Sequence, residues 1–87
     1  MYVILVYDID EKRVAKIHKY LKRFLFWRQN SVFEGEITKA KFEEMKLKVN
    51  DIIDSTIDSV IFFKSRDIKW MDKDICGIEK DDTDNFL

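Results

Sequence analysis

The run Tyr2-Val3-Ile4-Leu5-Val6-Tyr7 constrains this chain more than any other feature. Six apolar or aromatic residues in a row, rich in β-formers and stopped by Asp8, predict a central strand covered on at least one face and crowded on the other. The run is much too short to cross a bilayer and lacks the basic flank and cleavage site of a secretory leader. A central strand needs partners, and the remaining sequence supplies them.

From Lys12 onward Val14, Ile17, Leu21 and Phe24 recur at helical spacing, with Asp10 and Glu11 placed near the positive end of the dipole. A first helix is predicted to about Leu25. Trp27 to Ile37 is dense in aromatic and β-branched residues, and reads equally as a tight hairpin or as one long strand bent near Ser31. Thr38 is the N-cap expected for a second helix, ending near Asp54, whose inward positions are Phe42, Met45, Val49 and Ile52, with Ile53 beside them. Ile57 to Phe63 returns to a strand pattern, Ser65 to Lys73 reads as a turn or short helical connection, and Ile75 to Glu79 as a short last strand. This order predicts an α+β fold: a ferredoxin-like βαββαβ sandwich with an additional short C-terminal strand, its two helices on one face of an antiparallel sheet.

The 87 residues contain no proline, two glycines, no linker and no repeat, so the chain reads as one domain, 1–87, with 79–87 as a C-terminal tail. A domain this small buries only about 60–65% of the surface of its unfolded chain, and pairing with a second copy would add to that. Seven Phe, three Tyr and two Trp are enough for a packed core. The single cysteine, Cys76, excludes an internal disulfide and a multi-cysteine zinc site, and fits a reducing cytoplasm.

The net charge of −1 hides an asymmetry. Residues 1–48 hold 11 Lys and Arg against 7 Asp and Glu, whereas residues 49–87 hold 5 against 10. Such a molecule can meet phosphate with its basic half.

Asp8 stands where the buried strand stops, a place that holds a carboxylate rigidly yet lets it face solvent. Carboxylate oxygens suit Mg²⁺ or Mn²⁺, ions that keep several waters and serve phosphodiester cleavage. Asp10 follows two residues later. An ordinary loop and an ordinary pre-helix residue would look the same, and one carboxylate is a thin site, but a two-fold axis would bring two copies of it face to face.

On the first helix Lys12, Lys16, Lys19 and Arg23 share a face, a ridge suited to following a phosphate backbone without reading bases. Arg13 and Arg28 are further candidates for that contact, and a solvated charged face is the plain alternative. His18 has no Cys or His partners and is read as a partly buried helix residue. No nucleophile elbow, P-loop or dinucleotide fingerprint occurs. Tyr7, Trp27, Phe33 and Trp70 could stack on bases, although most aromatics in so small a domain are expected to pack inward. The tail from Glu79 carries four acidic residues against one Lys and ends Asn85-Phe86-Leu87, a frayed end or a docking peptide.

Three segments together resemble the CRISPR-associated protein 2 family in order and spacing: Val3 to Ile9, then Gln29-Asn30-Ser31-Val32-Phe33-Glu34-Gly35-Glu36-Ile37-Thr38, then Phe63-Lys64-Ser65-Arg66 followed by Trp70. The resemblance implies a ferredoxin-like fold, a symmetric homodimer, and a role in spacer acquisition in which the dimer bridges two dimers of the CRISPR integrase and supports double-stranded DNA. It also implies a metal-dependent endonuclease acting on single-stranded RNA or double-stranded DNA, with Asp8 as the metal-binding aspartate. Tyr7, Asp10, Ser31 and Phe33 are the candidates for supporting roles beside it. The last strand and tail are expected to pack on the neighbouring protomer or the integrase.

Two departures stand out. Many relatives carry Gly after the first helix, where this sequence has Phe24-Leu25-Phe26-Trp27, so that turn is expected to be built differently. Asp10 and the lysines of the first helix match no fixed family motif. A non-catalytic DNA-binding adaptor and a toxin-type ferredoxin-like ribonuclease are the competing functions.

Overall fold

Each helix begins where a side-chain oxygen caps it. Asp10 accepts from the Lys12 N–H at 3.0 Å to open α1, Glu11–Leu21, and Thr38 Oγ1 accepts from the Lys41 N–H at 3.1 Å to open α2, Lys39–Ile52. The computed structural model describes residues 1–72 and 74–78. Its strands are β1 Tyr2–Asp8, β2 Phe26–Gln29, β3 Val32–Glu36 and β4 Ser59–Ser65, with a 3-10 turn at Ile68–Trp70.

The sheet order is β2-β3-β1-β4, antiparallel throughout, with β1 central as its apolar run requires. This is the expected βαββαβ core. Trp27 to Ile37 forms a hairpin rather than one bent strand: Asn30 takes a left-handed φ of 39°, a conformation that asparagine tolerates in tight turns.

Val3, Leu5 and Tyr7 from β1 and Phe33 from β3 meet Ile17, Tyr20 and Leu21 of α1 and Phe42, Met45, Val49 and Ile52 of α2 in one buried cluster. All four predicted inward positions of α2 are buried, because an uninterrupted period of 3.6 leaves one stripe to bury. Gly35 lies so close to the chain after α1 that a Cβ there would come 3.2 Å from Leu25 Cδ2.

Two expectations are corrected. The first helix ends at Leu21, not Leu25: Arg23 N–H donates to Tyr20 O at 3.2 Å and Phe24 N–H to Leu21 O at 3.0 Å, a tightened last turn that frees Phe26 to enter the sheet. This turn needs no glycine, and Phe24 instead lies under Arg23 and Lys41 at 5.3 and 5.2 Å. The last strand is not formed over 74–78: a strand exists only when its backbone groups are paired, and among the described residues this segment pairs with neither edge of the sheet, β2 or β4. Glu79 and the tail, 79–87, lie outside the described residues.

One face of the sheet carries both helices. On the other, Ile4 stands between Glu34 and Phe63, and Val6 between Val32 and Ile61. Ile61 and Phe63 are 50% and 54% exposed, and Phe26 at 44% continues the surface onto β2. Val60 and Phe62, their alternates on β4, turn to the core. Among the described residues no helix is long and apolar enough to cross a membrane.

Candidate functional site

The alternation of β1 decides where Asp8 points. Val3, Leu5 and Tyr7 go to the helices, so Asp8 falls on the side of Ile4 and Val6, the helix-free face, opposite Ser59 and exposed. Tyr7 lies on the other side. Its hydroxyl is paired with His18 Nε2 and donates to Asn30 O at 3.3 Å, and burial pushes its pKa up. Tyr7 therefore fastens the end of β1 to α1 and to the hairpin tip.

The other supporting candidates are placed as follows. Phe33 is fully buried, its ring 4.9 Å from that of His18 and 6.5 Å from that of Tyr7, so it supports the strand from beneath and offers no surface for a base. Ser31 accepts the Tyr7 N–H on its carbonyl at 3.1 Å. Asp10 Oδ1 is taken by the helix cap.

Lys12, Lys16 and Lys19 are exposed along one face of α1, as expected. Arg23 lies beyond the helix end, its guanidinium 5.9 Å from the Tyr20 ring and 5.3 Å from that of Phe24. Arg13 and Arg28 do not join this row. Arg13 clasps Asp58 with two hydrogen bonds of 2.6 and 3.0 Å, and Arg28 is held by the buried Glu34, with the Tyr2 hydroxyl in the same group.

Asp58 is the residue that sequence reading missed. It accepts from the Arg13 side chain, from Asp10 N–H at 3.0 Å and from Asp54 N–H at 2.9 Å. Hydrogen bonding by Arg13, ahead of the two backbone donors, holds its carboxyl well below the usual range. These partners lie up to 48 residues apart, and no local pattern announces them. The hub ties the start of α1, the end of α2 and the start of β4 together directly beyond Asp8.

Among the described residues no three His, Cys, Asp or Glu side chains cluster as a metal centre. At the end of β1 the chain offers one exposed carboxylate, hard oxygen donors of the kind a divalent ion takes while keeping its waters.

Residues 1–73 match the family described as CRISPR associated protein Cas2. The chain belongs to that family. It is 42% identical over 87 residues to the CRISPR-associated endoribonuclease Cas2 of Methanosarcina acetivorans and 46% identical over 87 residues to that of Dictyoglomus turgidum, both covered completely. A crystal structure of a Cas2 protein superposes with a TM-score of 0.78 at 43% identity, covering 92% of this chain and 90% of its own. Membership in the Cas2 family sets aside the toxin-type ribonuclease.

Proposed function

We propose that this chain is a metal-dependent endoribonuclease of a CRISPR system that acts as a symmetric homodimer. The observation that carries this is the position of Asp8: exposed, rigidly placed at the end of the central strand, and on the same side as the bare apolar face. A two-fold contact through that face would cover Ile4, Val6, Ile61 and Phe63 and bring the two Asp8 carboxylates toward each other. Its relatives are named endoribonucleases, which favours RNA as substrate.

Together the paired Asp8 carboxylates would hold Mg²⁺ or Mn²⁺, which when bound supplies charge neutralisation at the phosphate and acidifies water. The chain's own part is geometric. Tyr7 and the Asp58 hub fix the strand end, and Lys12, Lys16 and Lys19 attract the polyanion.

Cleavage of a fluorescently labelled single-stranded RNA tests this. Activity is expected with Mg²⁺, abolished by chelator, and reduced by more than about two orders of magnitude in Asp8→Ala with the circular dichroism unchanged. Equal cleavage by Asp8→Ala refutes it.

The exposed lysine row favours a second reading, an adaptor for double-stranded DNA that serves the CRISPR integrase in spacer acquisition. There Asp8→Ala leaves acquisition intact.

A further inference from the structure

The two tryptophans are placed for different work. Trp27 is half-buried: its indole N–H donates to Asn30 O at 3.0 Å and its ring lies 5.5 Å from that of His18. Trp70, at the end of the 3-10 turn, is 63% exposed, and among the described residues its indole N–H makes no hydrogen bond. A large aromatic surface that does nothing for the core is available to a partner.

What surrounds it selects the partner. The Arg66 guanidinium lies over the indole at 5.4 Å from its centroid and the Lys69 ammonium at 5.8 Å, both within cation–π range of a ring that is still 63% exposed. Lys64, two residues before Arg66, reaches over the Phe42 ring at 5.0 Å, and Lys46 of α2 reaches the same ring at 5.5 Å. Asp67, the acidic residue within this stretch, is turned to its own backbone. Its carboxylate accepts from Lys69 N–H at 3.2 Å, and its carbonyl accepts from the Ser65 hydroxyl at 3.0 Å and from Trp70 N–H at 3.1 Å. Asp72 and Asp74 follow, exposed, and make no ion pair with Arg66 or Lys69 among the described residues. The turn thus holds an indole beside two cations that no carboxylate pairs with among the described residues. A flat base on the ring with phosphates at the cations satisfies both features at once, as single-stranded nucleic acid does on other stacking platforms.

We propose that Trp70, flanked by Arg66 and Lys69, is a stacking site for a base of single-stranded RNA. The proposal rests on the reading of this chain as acting on RNA and adds where the strand is gripped. Ser65 pairs with Tyr2 and Ser59 with Asp8, so within one chain the site lies at the opposite end of the sheet from Asp8, about 20 Å away along β1. It is an anchor remote from the scissile phosphate.

The test uses the full chain with Trp27→Phe, leaving Trp70 as the reporter, titrated with a 20-nucleotide oligouridine in chelator so that nothing is cleaved. Quenching of Trp70 fluorescence is expected. Trp70→Ala should weaken binding about tenfold, Trp70→Phe should retain most of the affinity, and Arg66→Gln with Lys69→Gln should lower the salt slope by about 1.4. Unchanged affinity in Trp70→Ala overturns the proposal. So does loss of self-association by light scattering with RNA affinity preserved, which would make this surface a contact between copies. RNA cleavage that needs Asp8 but is indifferent to Trp70 removes the anchor alone, whereas Trp70 quenching without any cleavage removes the nuclease reading alone.

Discussion

Asp58 shows how one carboxylate can fix a site that it does not itself form. Its four donors come from α1, from the cap before it and from the chain after α2. Because its folded pKa is depressed, its contribution to stability is complete above the ordinary carboxylate pKa of about 3.9 and is lost as pH falls through the lower native value. Urea midpoints measured from neutrality down into the acid range should therefore decline below about pH 4 in the wild type. Asp58→Asn should start lower at neutral pH and show a shallower decline, and equal slopes would contradict this linkage. Asp8 differs: it is exposed and caps nothing, so Asp8→Ala is expected to change the thermal midpoint little while removing RNA cleavage, a separation that differential scanning fluorimetry beside the cleavage assay will show.

At the scale of elements, legibility in the sequence tracks the distance over which each determinant acts. Phe42, Met45, Val49 and Ile52 could be read because a helix repeats within four residues, and Thr38 because a cap acts on its immediate neighbours. Thr38→Ala should accordingly cost about 1 kcal/mol in chemical denaturation. The end of α1 could not be read: Arg23, Phe24 and Leu25 are compatible with helix, and the stop comes from Phe26 pairing with Glu34 across β2 and β3. The absent strand at 74–78 has the same origin, since pairing is a property of two segments and the sequence describes one at a time. The candidate site divides along this line too. The exposed position of Asp8 at a strand end is legible in the sequence, but Arg13 and Arg28, indistinguishable there from the lysines of the row, are committed to Asp58 and Glu34. Reversing Lys16 and Lys19 to Glu should then weaken binding to duplex DNA and flatten its salt dependence, whereas Arg13→Gln should act first on stability; filter binding and denaturation curves separate the two.

At the scale of the whole molecule, one side of the sheet is without cover among the described residues. Ile61, Phe63 and Phe26 expose apolar surface around Ile4 and Val6, and a single chain of 87 residues has both its helices on the opposite side. A surface of this kind is stable in water when a second copy meets it, and a two-fold axis through it would join two half-sites at Asp8. Phe63→Glu places a charge in the middle of that face without touching the core, because Phe63 alternates along β4 with Phe62, which turns to the core. The substituted chain should retain its helical circular dichroism, elute and scatter as a monomer where the wild type is expected to run as a dimer, and lose RNA cleavage although both Asp8 and the lysine row are intact. Cleavage by a verified monomer would show that one carboxylate suffices, and the shared site would have to be abandoned.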